Sequence, residues 1–420
     1  MARKRIGIIG SGISGLTCAY LLNQKYDITL IEQNEKLGGH TNTEIVEREG
    51  QLFPVNTGFI VFNDWTYPNF IKLLDRLGVK SETSDMSFSV KCELSGLEYN
   101  GTSLNTLFAQ RKNLFSPSFW RMIRDILRFN RETIRELEAG ILSETETLTQ
   151  YLHRNRYSEI FIEKFIVPMG AAIWSSGRAA MDEFPIYFFV RFFKNHGMLS
   201  VDNRPTWRVI SGGSATYIEA MTQSFKDKII LTEGAKSVSR SDEAVIVTTT
   251  EGNLHYFDEV IFATHSDQAL RLLENPTEDE KQVLGSIEYQ DNEVVLHTDH
   301  TLLPKSRLAW ASWNYHIPKQ VSDRVAVTYN MNMLQNFHTR DTTFCVTLNK
   351  TQDIAPDKII KTFNYAHPVF TTEAVAAQKR FDDISGKHRT HFCGAYWFNG
   401  FHEDGVKSAL RVCDAFGVSL

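Results

Sequence analysis

Three glycines near the start of the chain have the spacing of a phosphate-binding turn. They occur in the segment Gly-Ser-Gly-Ile-Ser-Gly, which follows a short apolar run. Between a strand and a helix, the first glycine permits a tight turn, the second lets the backbone approach a pyrophosphate, and the third lets the helix lie close to the strand. The start of the helix then offers unpaired N–H groups to the phosphates. The segment therefore predicts a dinucleotide site formed by Gly10, Ser11, Gly12, Ile13, Ser14 and Gly15.

A carboxylate follows at the distance expected for ribose recognition. Glu32 ends the next apolar run, about 20 residues after the glycines, and Gln33 comes directly after it. A carboxylate at this point accepts hydrogen bonds from ribose hydroxyls and repels a 2′-phosphate. The acid and the glycines together favour a ligand site over the alternative, a purely structural glycine turn. We predict that Glu32 and Gln33 both contact the cofactor.

The apolar pattern shows which elements would position these groups. Ile6 to Ile9 is an apolar run typical of a buried parallel strand, residues 13–25 have apolar positions at helical spacing, and residues 27–32 read as a second strand. Similar strand and glycine-turn patterns return at 207–265 and at the end of the chain. Between them lie a largely helical, aromatic stretch and a strand-rich stretch.

We therefore predict an α/β fold with a discontinuous cofactor domain. Its Rossmann-like part comprises residues 1–78, 206–285 and 376–420. Residues 79–205 and 286–375 would form an α+β substrate domain with a mixed sheet and a helical part.

Composition excludes several classes of protein. The 420 residues carry a net charge of −5, which argues against a nucleic-acid binder. The five cysteines are scattered, so neither a disulfide framework nor a zinc site is expected. No uncharged apolar run is long enough for a membrane span, and no signal-peptide core follows the basic start. We expect a cytoplasmic protein, with contact to the inner face of the membrane left open.

Further segments resemble the flavin amine oxidase superfamily, which includes monoamine oxidases, protoporphyrinogen oxidases and phytoene desaturases. In that superfamily two glycines, usually followed by arginine, come after the ribose-binding acid, and an Asp-x-Gly motif comes later. Here His40 stands at the arginine position and Asn56 at the aspartate position. The matching segments are Gly38-Gly39-His40-Thr41, Asn56-Thr57-Gly58, residues 258–266, residues 392–394 and residues 400–406.

The resemblance implies FAD as the cofactor, held non-covalently. No second glycine fingerprint is present, so a nicotinamide domain is not expected. His40 is predicted to touch the pyrophosphate or the edge of the flavin ring. The resemblance also assigns cofactor contacts to Ala235, Ala263, Thr264, Gly394, Glu403, Asp404, Gly405 and Val406.

Within the superfamily, the segments GGHTNT, NTGFIVFNDWTYPN, AAIWSS and RFFKNHG together resemble a bacterial branch associated with fatty-acid modification. This resemblance implies an FAD-dependent oxidoreductase acting on an apolar fatty-acyl substrate, including methyl-branched and phospholipid-linked chains, by hydride transfer to flavin in a desaturation or isomerisation. His402 and Tyr396 are then the candidate catalytic residues. Two alternatives stay open: a flavin oxidase of amines or amino acids, and a non-catalytic, membrane-associated flavin-binding partner of an acyl-modifying enzyme.

Two stretches of the substrate region also allow two interpretations each. Six aromatic residues between 184 and 193 would either line a substrate tunnel or form plain core. Residues 108–131 contain six basic residues and one acid, which fits either contact with an anionic membrane surface or a solvated basic helix face. The sequence leaves the oligomeric state open.

Overall fold

The computed structural model describes residues 3–200, 202–319 and 324–420. The first ten strands are β1 (Arg5–Ile9), β2 (Asp27–Ile31), β3 (Thr43–Arg48), β4 (Gln51–Asn56), β5 (Phe62–Asn63), β6 (Ser81–Thr83), β7 (Phe88–Cys92), β8 (Glu98–Asn100), β9 (Trp207–Ile210) and β10 (Ile229–Ile230). The others are β11 (Ala235–Arg240), β12 (Val245–Thr249), β13 (Leu254–Phe257), β14 (Glu259–Phe262), β15 (Tyr289–His297), β16 (Trp313–Ile317), β17 (Val327–Asn330), β18 (Cys345–Leu348), β19 (Ile359–Pro368) and β20 (Thr390–Phe392).

The α-helices follow the same order along the chain. The first eight are α1 (Ile13–Leu22), α2 (Pro68–Leu77), α3 (Leu104–Leu107), α4 (Pro117–Glu138), α5 (Leu148–Arg154), α6 (Glu159–Phe161), α7 (Val167–Trp174) and α8 (Arg178–Asp182). The others are α9 (Ile186–Asn195), α10 (Ala215–Thr222), α11 (Ser266–Leu272), α12 (Glu278–Gly285), α13 (Met331–Leu334), α14 (Thr372–Gln378), α15 (Phe381–Ile384) and α16 (His402–Ala415).

A five-stranded parallel sheet forms the centre of the nucleotide-binding half. Its order is β10-β2-β1-β14-β20, and every neighbouring pair is parallel. These strands come from separated parts of the chain, so the sheet is assembled discontinuously, as predicted. The α/β fold class is confirmed, whereas the exact domain boundaries stay a prediction.

A seven-stranded mixed sheet supports the other half. Its order is β19-β15-β18-β17-β16-β7-β8, with β16 parallel to β7 and the remaining pairs of the described chain antiparallel. Helices α4 to α9 contribute the helical part, and their apolar residues join those of this sheet in one core cluster. Strand β19 of this sheet places Tyr365 and His367 against His40, which follows the two glycines Gly38 and Gly39.

The aromatic residues of α9 and the turn before it form core. Phe184, Phe188, Phe189, Phe192 and Phe193 are all at most 2% exposed. Their rings contact one another and Trp174, with the centroids of Phe189 and Phe193 only 4.1 Å apart. Rings that fill each other's space leave none for a ligand, so these residues fit the core interpretation rather than the tunnel.

Helix α4 directs its apolar face into the protein. Phe119, Met122 and Phe129 are buried, while Arg121 and Arg124 are exposed on the outer side. A helix whose apolar face is already covered cannot lie on a membrane by that face. In the described ranges, none of the helices combines the length and the apolar character needed to span a bilayer.

Candidate cofactor and substrate site

The glycine turn between β1 and α1 has the geometry that phosphate binding requires. Gly10 has a φ of +101°, and a Cβ on Gly15 would lie 1.9 Å from the Gly10 carbonyl oxygen, so both positions need glycine. A Cβ on Gly12 would instead meet no atom within 4 Å. Gly12 is also the N-cap of α1 and offers no side chain to its N–H groups. The start of α1 therefore faces open space with its donors uncapped.

Glu32 lies at the end of β2, beside this turn, and its carboxylate is fully engaged by the protein. One oxygen accepts from the Ser11 backbone N–H at 3.0 Å and from the Ser11 hydroxyl at 2.6 Å. The other accepts from the backbone and side-chain nitrogens of Asn34 at 2.9 and 2.8 Å. A carboxylate has about four acceptor positions. A ribose hydroxyl would bind Glu32 by replacing one of these donors, and Ser11 acts by fixing the acid.

Two loops come together opposite the glycine turn. A Cβ on Gly39 would lie 3.3 Å from the Gly12 Cα, and a Cβ on Gly58 would lie 2.0 Å from the His40 carbonyl oxygen. That oxygen accepts from the Phe59 backbone N–H at 2.8 Å. Gly38, with a φ of +115°, completes the turn. The glycines therefore hold the His40 loop between the phosphate turn and the segment at Asn56.

Asn56 acts as a structural link, and one of its polar atoms has no partner. Its side-chain oxygen accepts from Thr43 and from the backbone and hydroxyl of Ser214. Its side-chain nitrogen is buried without a partner among the described residues. The neighbouring Thr57 hydroxyl lies 3.1 Å from the Tyr365 hydroxyl of β19. The cofactor contacts predicted for Asn56 and Thr57 stay predictions.

His40 lies at the seam between the two halves, in a cluster with His265 and His367, which we call the histidine cluster. Its ring centroid is 5.9 Å from that of His265, 5.3 Å from that of His367 and 5.1 Å from that of Tyr365. Burial, followed by the other two imidazoles, holds the pKa of His40 well below its usual value. Burial lowers the pKa of His265 and that of His367, the latter to about 4. The cluster is therefore uncharged at neutral pH.

The hydrogen bonds of the histidine cluster fix where its protons sit. Asn292 donates to Nδ1 of His367 at 3.1 Å, so His367 carries its proton on Nε2. His40 bonds the backbone of Ala366, and its Nε2 is buried without a partner in the described chain. The cluster forms no metal site within the described residues. It therefore presents one imidazole N–H donor and one unpartnered ring nitrogen.

Replacing His40 by alanine is expected to loosen this seam. Loss of the ring removes its contacts to β19 and its bond to Ala366, so we expect the free energy of unfolding to fall by about 1–3 kcal/mol. Thermal unfolding and FAD titration measure the change, with His338→Ala, an exposed site, as the control. If His40→Ala leaves stability, FAD affinity and the flavin spectrum unchanged, His40 is a bystander.

His402, the first residue of α16, is held by neighbouring side chains. Its ring stacks on Phe59 at 3.7 Å, and its Nε2 lies 2.8 Å from the Tyr217 hydroxyl and 3.5 Å from the Thr41 hydroxyl. Burial lowers the pKa of His402 to about 3. This geometry fits a residue that positions the start of α16 better than one that exchanges protons with a substrate. Its catalytic role stays a prediction.

The acidic side chains that follow His402 cap helices. Glu403 accepts from Asn69 through both its backbone and its side chain, and from the Phe70 backbone, so it caps the N-terminus of α2 from another part of the chain. Asp404 accepts from the backbone N–H groups of Asn399 and Phe401. The cofactor contacts predicted for Glu403 and Asp404 stay predictions. Gly405 and Val406 are buried, and a Cβ on Gly405 would lie 2.5 Å from Ile13 of α1.

The Asp404 carboxyl makes stability depend on pH. Burial raises the pKa of Asp404 to about 7. A carboxyl with a higher pKa in the folded state binds protons more tightly when folded, so stability falls as the pH rises from about 4 to about 7. Asn accepts the same two N–H bonds without a charge. We expect Asp404→Asn to stabilise the protein at pH 8 by up to about 4 kcal/mol and to have little effect near pH 4. Urea unfolding at both pH values measures this, and an equal effect at both would contradict it.

The remaining predicted residues line the same crevice or support it. Ala263 and Thr264 follow β14, and the Ala263 carbonyl would lie 2.8 Å from a Cβ on Gly10. Gly394 is covered by the ring of Tyr396, which is buried, with a hydroxyl that has no partner in the described chain. Gln33 lies against Gly234, next to Ala235 at the start of β11. Gln33 and Ala235 therefore lie near the Glu32 end, and the catalytic role of Tyr396 stays a prediction.

These residues fit FAD. The uncapped start of α1, the open space at Gly12 and the close approach of Gly39 form a cradle for a pyrophosphate. The unpartnered nitrogens of His40 and Asn56 lie beyond it, at the loops between the halves. A parallel sheet with a glycine turn and an acid at these positions defines a dinucleotide-binding fold.

Comparison with known proteins gives the family. The family model for flavin-containing amine oxidoreductases matches residues 13–416, and the chain belongs to that family. An L-amino-acid oxidase from Demansia vestigiata is 24% identical over 76% of this chain, which spans 61% of that oxidase's length. Members of this family are flavin-containing oxidoreductases, and membership implies FAD as the cofactor of this chain.

Solved structures share the fold. Cyclohexylamine oxidase from Brevibacterium oxydans IH-35A matches with a TM-score of 0.68 at 13% identity, covering 99% of this chain and 100% of its own. A fatty acid isomerase from P. acnes that produces CLA matches with a TM-score of 0.68 at 14% identity, covering 98% of each chain. At these identities the likeness establishes the fold alone.

The sequence did not point to several residues of the site. His367 and Tyr365 lie on β19, where their spacing of two places both on one face, but nothing in the sequence linked that strand to His40. Tyr217 contacts His402, which is distant in sequence, and Asn34 contacts Glu32 within one loop. An Asn two residues after the acid is a local signal for capture of Glu32, and it could have been used.

Proposed function

We propose that the protein is an FAD-dependent oxidoreductase that desaturates or isomerises an apolar, fatty-acyl substrate. The observation that carries this proposal is the contact of three imidazoles, His40, His265 and His367, where the two halves meet, in surroundings that lower the pKa of each. Of the three charged groups that act on His265, Asp267 and Arg271 pair with each other, and the third, Asp291, is a carboxylate. An α-carboxylate is usually held by an unpaired Arg, and none accompanies this cluster in the described residues.

Aromatic side chains flank the loop before α16. Trp174 donates from its indole nitrogen to the Asn399 carbonyl at 3.2 Å, and Phe401 stacks on Phe192 at 4.8 Å. Phe401 is partly exposed, unlike the core rings behind it. An apolar chain would gain contact area at such a wall, whereas a charged amine would lose hydration there.

The roles of the residues follow from their protonation. Bound FAD supplies a two-electron acceptor. A desaturation releases one proton for each hydride that the flavin accepts. Imidazoles whose pKa is held this low are weak bases, so the cluster acts through its hydrogen bonds to the substrate rather than by taking up that proton. His367 holds a proton on Nε2 and His40 has a free ring nitrogen, so the cluster offers a donor and an acceptor side by side.

The test is anaerobic mixing of the purified yellow protein with candidate substrates. We expect phospholipid with unsaturated or methyl-branched acyl chains to bleach the flavin absorbance or to yield a shifted double bond, and His367→Asn to slow this step. Tyr365→Phe, a neighbouring change that keeps the imidazoles, is the control. Bleaching by L-amino acids or amines alone would overturn the acyl proposal.

Oxidation of an amino acid is the second candidate. It is favoured by the relatives, since the L-amino-acid oxidase from Demansia vestigiata matches 356 residues. In that case peroxide formation with a panel of L-amino acids would accompany bleaching, and acyl lipids would have no effect.

A further inference from the structure

A pocket of about 370 Å³ lies at the N-terminal end of α4, away from the glycine loops. Its walls include Ser116 and Ser118 from the start of this 22-residue helix, together with Lys112, Asn113 and Lys164. The Ser116 hydroxyl accepts from the Phe119 backbone N–H, and Pro117 has no N–H. The helix start adds a positive dipole end to the two lysines.

The pocket also contains a buried donor without a partner. Asn113 is 6% exposed, and its side-chain nitrogen has no hydrogen-bond partner among the described residues. Of the two acids in the wall, Glu163 is paired with Arg178, and Glu159 is exposed at the start of α6. The wall thus offers one unpartnered donor and two lysines, against one acid without an ion pair in the described chain, Glu159, to a space that fits a phosphate group.

Large apolar side chains protrude beside this pocket. Phe115 is 87% exposed and Leu104 76%, while Leu114 and Trp120 are each nearly half exposed. Trp120 is fixed in place, since its indole nitrogen donates to the Leu114 carbonyl at 2.9 Å. We call Leu104, Leu114, Phe115 and Trp120 the apolar tip. Fixed, exposed apolar residues of this size mark an interaction surface rather than a solvated one.

Positive charge lies along the helix that follows the apolar tip. Arg121, Arg124 and Arg131 are exposed along the outer side of α4, and neither they nor Lys112 form an ion pair in the described ranges. The acid in this helix segment, Asp125, is buried and accepts from Ser158. The chain as a whole has a net charge of −5, so this basic surface is a local departure. A basic helix face beside an apolar tip is complementary to an anionic lipid surface.

We propose that the apolar tip and the pocket behind it dock the protein on an anionic phospholipid membrane, with the pocket receiving a lipid phosphate. The tip inserts among the acyl chains at the boundary with the headgroups, and the arginines face the anionic headgroups. This differs from a helix lying flat, because the apolar face of α4 is buried in the protein. The inference does not depend on the reaction that the FAD site carries out.

Vesicle flotation of the FAD-loaded protein tests the proposal. We expect binding to phosphatidylcholine vesicles that contain about one third phosphatidylglycerol, and weak binding to phosphatidylcholine alone. Phe115→Ser and Arg121→Glu should each lower the partition coefficient by roughly tenfold. Asn113→Leu, which removes the unpartnered donor, should lower the partition coefficient by less than tenfold.

Matched controls separate docking from folding. Leu254→Ser and Lys236→Glu change exposed residues on β13 and β11 and should leave vesicle binding and bound FAD unchanged. Equal binding by Phe115→Ser and the unchanged protein would overturn the proposal, as would binding that ignores phosphatidylglycerol. Stabilisation by inorganic phosphate with no affinity for vesicles would show a soluble-phosphate site and overturn membrane docking.

Discussion

Gly12→Ala is expected to lower FAD affinity by about 100-fold while the apoprotein stays folded. A Cβ at Gly12 meets no protein atom within 4 Å, and the φ of −62° is one that alanine adopts freely. The methyl group would therefore occupy the space in front of α1 that the phosphates need. Losing one or two charge-assisted hydrogen bonds, each worth about 1.5–3 kcal/mol, gives an effect of this size. Fluorescence titration with FAD and circular dichroism of the apoprotein measure the two quantities.

Gly15→Ala provides the contrast at the same turn. Its Cβ would lie 1.9 Å from the Gly10 carbonyl oxygen, so the backbone itself must shift. We expect loss of stability in the apoprotein together with loss of FAD. If Gly12→Ala binds FAD normally, the cofactor does not pass in front of α1, and the assignment of the phosphate site is wrong.

Phe189→Ala is expected to cost about 3–5 kcal/mol of stability. Phe189 is fully buried, stacks on Phe193 at 4.1 Å and lies against Gly170, where a Cβ would come within 2.8 Å of its ring. Deleting a ring from such a site leaves a cavity that the surrounding rings cannot fill. Chemical denaturation of the apoprotein measures the loss independently of any substrate.

Tyr187→Ala, on the same helix but only partly buried, is the matched control and should cost less than about 1 kcal/mol. If Phe189 lined a tunnel instead, Phe189→Ala would keep its stability and accept a bulkier substrate.

The nucleotide half was predictable because its signals are local. A strand, a glycine turn and a helix follow one another within the first 32 residues, and each step has its own residue requirement. The start of α2 at Pro68 and its end at Gly78, whose φ is +69°, follow from the same kind of local rule.

The substrate half depends on contacts between distant segments, which one sequence does not show. Strand β19 was not predicted, because its run of Lys361, Thr362 and Asn364 among apolar residues has no clear alternation. The cap that Glu403 places on α2 joins residues more than 300 positions apart. The sequence marked the basic character of α4 but not which of its faces is covered.

The contact between α1 and α16 has a consequence for how the protein is made. Gly405 lies against Ile13, and Ser14 donates to the Gly405 carbonyl at 2.9 Å, so the first helix is completed by the last. At roughly 5–20 residues per second, a ribosome needs some tens of seconds to synthesise the chain between α1 and α16. During that time the glycine turn exists without its partner helix. The cofactor site is therefore complete only once translation has passed α16 and that helix has packed on α1.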